Sequence, residues 1–201
     1  MLSRTQVINN GLRSIAANLI ADPNEESESA RQAAACYDQI IRSELSAHPW
    51  YFAKTQASLP ANVQAPLFKY MLAYTFPADF LRLVELEDKW VFDIIRNVDT
   101  NPIPQYEMQG RTLLTDFTAP LNITYIMDVT ADPTIWAATF ADVASAALAV
   151  ALAMPLTKSE GMVSLAEKLY QKALRRAFRS NAIQMPPAQP PDGSWMAARI
   201  S

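Results

Sequence analysis

Apolar residues recur along this chain with two different periods, and the switch between them marks its organisation. Residues 3–20 place Val7/Ile8, Leu12, Ile15/Ala16 and Leu19 at helical spacing. Ser3 and Gln6 stand three apart at the start, the spacing of a capping box in which each side chain satisfies a backbone donor. Residues 24–48 repeat the pattern with Ala33/Ala34, Tyr37, Ile40/Ile41 and Leu45. Asp22-Pro23 reads as the cap of that second helix with proline in its first turn, and Glu25, Glu26 and Glu28 lie at the positive end of its dipole. Pro49 stops it. Two further helices are expected over 133–154, opened by Asp132-Pro133, and over 159–181. The first carries Trp136, Phe140, Ala144, Ala147/Leu148 and Ala151, and its wealth of alanine permits close approach of neighbouring helices. The second carries Met162/Val163, Leu165/Ala166, Tyr170, Ala173/Leu174 and Ala177/Phe178.

Between these helix pairs, over about residues 50–130, the period drops to two. Phe68, Tyr70, Leu72, Tyr74 and Phe76 alternate with more polar or smaller neighbours, as do Leu121, Ile123, Tyr125, Met127 and Val129. Shorter strand patterns occupy 51–57, 81–86, 90–95 and 106–114, the last bent at Gly110-Arg111 in a hairpin turn. No helix-length connection separates them, so the pairing is expected to be antiparallel. The expected class is α+β, mainly α: a four-helix bundle with a small antiparallel β-rich insertion between helices 2 and 3. One domain spans 1–185, and residues 186–201 form an extended proline-rich C-terminal arm.

Composition removes function classes rather than adding them. Only four glycines occur in 201 residues, widely spaced, which excludes glycine-rich phosphate loops. Cys36 and His48 are the sole cysteine and histidine, so a disulfide within the chain and a Cys/His zinc set are excluded as well. His48, at a helix end before Pro49, is expected to cap or pack, and Cys36 to be a small buried side chain. Glu25, Glu26 and Glu28 suit a helix start, and Glu85, Glu87 and Asp88 a turn between strands; no catalytic, cofactor or metal site emerges. The balance of 17 basic against 20 acidic residues gives no global field for nucleic acid or an anionic membrane. The amino terminus lacks the apolar core of a signal peptide, which points to the cytoplasm at synthesis. Val143–Leu156 is too short to span a bilayer and is expected to be a buried helix.

Three groups remain as candidate contact surfaces. Lys168, Lys172, Arg175, Arg176 and Arg179 put five cations on one stripe of the last helix, able to meet phosphates. Tyr70, Tyr74, Trp90 and Phe92 supply more aromatic surface than one small sheet face can bury, which suggests a subunit interface. In the arm, Pro186, Pro187, Pro190 and Pro191 favour an extended segment that ends in Trp195 and Met196, an apolar anchor for a partner.

Taken in order, these segments resemble the tail tubular protein A family, the head-to-tail adaptors of short-tailed bacteriophages. The resemblance rests on the helix Thr5–Leu19, on Leu45–Ala53 (LSAHPWYFA), on Tyr70–Arg82 (YMLAYTFPADFLR), on Leu113–Asp116 (LLTD), and on Pro133–Trp136 (PTIW) with Phe140 before Leu148–Ala153 (LAVALA). It covers about residues 5–180 and leaves out the arm. It implies a virion protein of the tail, assembled in the host cytoplasm, with no catalytic residues and no cofactor. Its partners would be the portal protein on one face, the tail nozzle on the other, further copies of itself in a ring of commonly twelve, and DNA passing through the hole. The Pro186–Met196 anchor would then meet the portal or an adjacent subunit. The alternative is a nucleic-acid-binding module that uses the Lys168–Arg179 stripe.

Overall fold

The computed structural model describes residues 2–87, 89–90 and 106–185, and within them the chain is α+β. Four helices are present: α1 (Arg4–Ser14), α2 (Glu28–Ala47), α3 (Ala138–Thr157) and α4 (Glu160–Gln184). Among the described residues, seven strands lie between α2 and α3: β1 (Lys54–Leu59), β2 (Leu72–Thr75), β3 (Phe80–Leu86), β4 (Lys89–Trp90), β5 (Tyr106–Gln109), β6 (Thr112–Thr115) and β7 (Leu121–Met127). All described pairings are antiparallel, as the short connections require, but they make two sheets rather than one, ordered β1-β7-β3-β4 and β2-β6-β5.

The period-two pattern of β7 and β3 is what builds the layers. Leu121, Ile123 and Tyr125 face one way, with Leu59, Leu83 and Leu86 beside them, and meet Tyr74 and Leu113 of the smaller sheet in a buried apolar layer. Ile126 and Val84 face the other way and join the helical core. The four-stranded sheet therefore stands between the helices and the three-stranded sheet. α3 contacts α1, α2 and α4, and Val143, Ala144, Leu148, Ala149 and Ala153 are buried in full. At 20 residues α3 is slightly shorter than the helix expected over 133–154 but longer than the apolar stretch Val143–Leu156, and it matches a membrane span in length and composition. Here it packs against the other three helices, and 56% of its most apolar window is buried. Small residues set its approach to α1: a Cβ on Gly11 would sit 2.8 Å from the Ser145 carbonyl oxygen.

Several boundaries differ from the sequence expectation, each for a local reason. The Ser3/Gln6 capping box forms as expected, but α1 ends at Ser14 instead of running to residue 20. Ala16 adopts a left-handed φ of 55°, and the Asn9 side chain binds both backbone groups of Ile20, donating to its C=O at 2.8 Å and accepting from its N–H at 2.9 Å. That turn tucks Ile20 into the core and leaves Leu19 half exposed. α2 starts at Glu28, capped by the Ser27 hydroxyl, while Asp22 and Glu25 hold their own tight turn upstream. The 68–76 alternation makes a strand only over 72–75, because Lys69 at φ 74° breaks it. Asp132-Pro133 opens a single 3-10 turn, and α3 begins after Trp136. Pro155, one residue past the expected end at 154, sits within the last turn of α3; the helix continues to Thr157 and closes through left-handed Lys158. Gly110, at φ 59°, makes the expected hairpin turn between β5 and β6.

Candidate interaction surfaces

The LSAHPWYFA segment turns the chain from α2 into β1, and it does so around Trp50. The indole is 1% exposed, donates to the Glu44 carbonyl at 2.9 Å and packs edge-on to Phe140 at 5.0 Å. His48 is the C-cap residue of α2, yet its ring packs between Trp50 and Phe178 at centroid distances of 5.1 and 4.4 Å. Burial, with the nearby Arg82 guanidinium, lowers its pKa, so the ring serves as neutral packing. The cationic cap comes from Arg82, which donates to the Ser46 and Ala47 carbonyls at 3.2 and 2.8 Å. Asn181 of α4 completes the junction: it donates to the Pro49 carbonyl at 3.0 Å and accepts from the Tyr51 N–H at 2.9 Å. Neither Arg82 nor Asn181 carries a local sequence signal, because each acts on a segment over thirty residues away.

Cys36 is half-buried, its thiol directed at the Gln32 carbonyl, and burial pushes its pKa up, away from reactivity. Glu85 pairs with Lys54 across the sheet at 2.7 Å, and the Glu87 carboxylate accepts from the Asn122 N–H, so these acids hold strands together. Asp88 lies outside the described residues.

The five cations of the α4 stripe, Lys168, Lys172, Arg175, Arg176 and Arg179, all point into solvent. Arg176 stands 3.7 Å from Asp142 of α3, an exposed pair that contributes little. Arg175 donates to the Gln171 carbonyl one turn earlier. The stripe is thus an open basic face.

The expected aromatic interface requires correction. Tyr74 is fully buried between the two sheets and donates to the Phe117 carbonyl at 2.7 Å; Tyr70 is 5% exposed and packs with Ala73 and Leu114 on the outer face of the small sheet. The facing sheet covers Tyr74, and Ala73 and Leu114 pack against Tyr70, so both rings are core rather than surface. The backbone of Trp90 pairs with Glu85 in β4; its side chain and Phe92 lie outside the described residues. The apolar surface that does face solvent comes instead from the segment covering the outer sheet: Val63, Leu67, Phe68 and Met71, with Phe68 77% exposed and Met71 74%. Its backbone is held by the Met71 N–H on the Asp116 carboxylate and by Lys69 paired with Glu107 at 2.6 Å.

α4 offers apolar surface on two flanks. On the flank carrying Lys172 and Arg176, Leu165, Leu169 and Ile183 are exposed at helical spacing. On the other, Tyr170 reaches across to α2 and donates to the Glu44 carboxylate at 2.9 Å. Burial raises the Glu44 pKa, partly offset by this bond, while burial and the facing carboxylate push Tyr170 up to about 12. Between Tyr170 and Ile40 runs an apolar groove of about 270 Å³ floored by Ala147, Val150 and Ala151 of α3. A separate polar cleft holds Arg4, Asp38, Arg42, Asp79 and Asp128, with Arg42 and Asp128 paired at 2.7 Å. Its cations and carboxylates largely answer one another.

The anchor residues Pro186, Pro187, Pro190, Pro191, Trp195 and Met196 lie outside the described residues. A scan against models of known protein families finds no match to this chain, and a search of curated proteins finds none either.

Proposed function

We propose that this chain is a structural assembly protein: a ring-forming adaptor that joins the portal to the tail nozzle of a short-tailed bacteriophage, with DNA passing through the ring. The family resemblance suggests this role and the figure of about twelve copies. One observation carries it further. The exposed segment Val63–Met71 covers the outer sheet, Leu165 and Leu169 lie on the helical layer, and the four-stranded sheet stands between them. These apolar surfaces are unlike and separate, so a contact of one with the other is head-to-tail, and head-to-tail contacts generate rings where the rotation closes. In this reading the four helices act as a four-helix bundle, the rigid scaffold on which both surfaces are mounted. Lys168, Lys172, Arg175, Arg176 and Arg179 face the lumen or the portal side, where open positive charge tolerates DNA without a base-specific grip.

Electron microscopy and sedimentation of the purified protein, with and without portal rings, test the proposal. Rings are expected in at least one condition, and Phe68→Asp should abolish them while leaving the helical signal intact. A wild-type protein that stays monomeric in both conditions overturns the reading. The exposed basic stripe supports a second one, a nucleic-acid-binding module. A monomer whose duplex affinity falls steeply with salt would favour it over the adaptor.

A further inference from the structure

The two apolar surfaces of the proposed ring contact carry unlike charges at their edges. On α4, Leu165, Leu169, Lys172, Arg176 and Ile183 follow one another at helical spacing, within about 60° of arc. A surface that covers Leu165 and Leu169 therefore meets Lys172 as well. This lysine is exposed and stands where the apolar line borders the rest of the basic stripe. The outer segment has the converse arrangement. Met71 is 74% exposed, and the exposed Asp116 carboxylate accepts its N–H at 2.8 Å through one oxygen. The second oxygen keeps lone pairs for a further donor. Glu107, by contrast, is answered by Lys69 at 2.6 Å. Among the described residues neither Asp116 nor Lys172 has an ion-pair partner. Within one subunit the four-stranded sheet separates the two, so they meet only between copies.

We infer that Met71 of one copy seats on Leu169 of the next, and that Asp116 beside it pairs with Lys172 across the same contact. The spacing permits both at once. Lys172 lies three residues beyond Leu169, about 4.5 Å along the helix axis, and Asp116 holds the backbone of the very residue that makes the apolar contact. The lysine lays its stem along the apolar line and brings its ammonium to the carboxylate at the rim. The pair serves as a register more than as a source of affinity: a docking that set like charges together would be penalised, so the unlike edges select which surfaces meet. The inference rests on the ring contact of the adaptor reading and adds its register.

Sedimentation of full-length variants, under conditions in which the wild type forms rings, tests the pairing. Lys172→Glu sets acid against acid and should abolish the rings. Adding Asp116→Asn, which removes the opposing charge and keeps an oxygen for the Met71 N–H, should restore them. Asp116→Asn alone should raise the concentration needed for assembly about threefold, as loss of an exposed pair does. Rings that persist in Lys172→Glu, or that fail to return in the double variant, overturn the pairing and leave the ring reading standing. A wild type that stays monomeric with and without portal rings overturns both. Cross-linking gives an independent reading. Met71→Cys with Leu169→Cys, on a Cys36→Ser background, should oxidise to a ladder of covalent oligomers that collapses on reduction. A link within single chains, or none, also overturns the inference.

Discussion

At the residue scale, the most consequential polar side chain is Asn181, 5% exposed and bonded to both Pro49 and Tyr51. It ties the end of α4 to the turn around Trp50, so its loss strands two backbone groups at once. Asn181→Leu is expected to cost about 2 kcal/mol, because an unpaired buried donor or acceptor costs its full desolvation. Urea unfolding should show a lower midpoint at an unchanged slope. Asp128 governs pH response in the opposite cleft. Burial tends to raise its pKa, but the Thr130 N–H and the Arg42 guanidinium outweigh that and hold it below the usual aspartate value. Its folded pKa is depressed, so the stability it contributes is present above the unfolded pKa and is lost as pH falls through the folded one. Asp128→Asn should therefore flatten the decline in unfolding free energy from neutral into acid conditions, measured by urea titration at several pH values. An unchanged decline would show that other carboxylates dominate.

Elements behave according to which side chain wins each terminus. Asp22-Pro23 carries every local mark of a helix start, and the helix nevertheless begins five residues later, at Ser27. Glu25 binds the Ala21 and Asp22 amides, so the first acidic residues close a turn rather than meet the dipole. The two caps make opposite predictions. Ser27→Ala should lower stability by about 1 kcal/mol, whereas Asp22→Ala should leave α2 unchanged; thermal unfolding by circular dichroism separates them. The 68–76 stretch teaches the same lesson in a strand. Alternation is a statement about faces, and here only β2 has a partner strand in register, Thr112–Thr115. Once Lys69 turns, Leu67 and Phe68 lose that partner and face solvent.

For the whole molecule, the layering decides which surfaces are free. Two facing sheets bury Tyr74 and Leu113 and thereby take Tyr74 out of the aromatic surface expected to meet a neighbour. Among the described residues the exposed apolar surface includes Val63–Met71 outside the small sheet and a flank of α4. If the ring forms through these two, Phe68→Asp and Leu169→Asp should each disrupt assembly, and together no more than either alone, since both cut one interface. Sedimentation of the two single variants and the double variant checks this.

Period, caps and turn chemistry were readable from the chain because they depend on neighbours within a few residues. They determined the α+β class, four helices though not all of their ends, antiparallel strands, the hairpin at Gly110 and the capping box of α1. The proximity of segments far apart in the chain was not readable. Asn9 fastening Ile20, Arg82 capping α2 and Asn181 clasping Pro49 and Tyr51 each join residues whose local contexts are unremarkable. The split into two sheets belongs to the same class, because alternation tells which residues share a face and not what lies opposite. Burial of Tyr74, exposure of Phe68 and the groove between α2 and α4 follow from that opposition, a property of packed layers that only the tertiary structure decided.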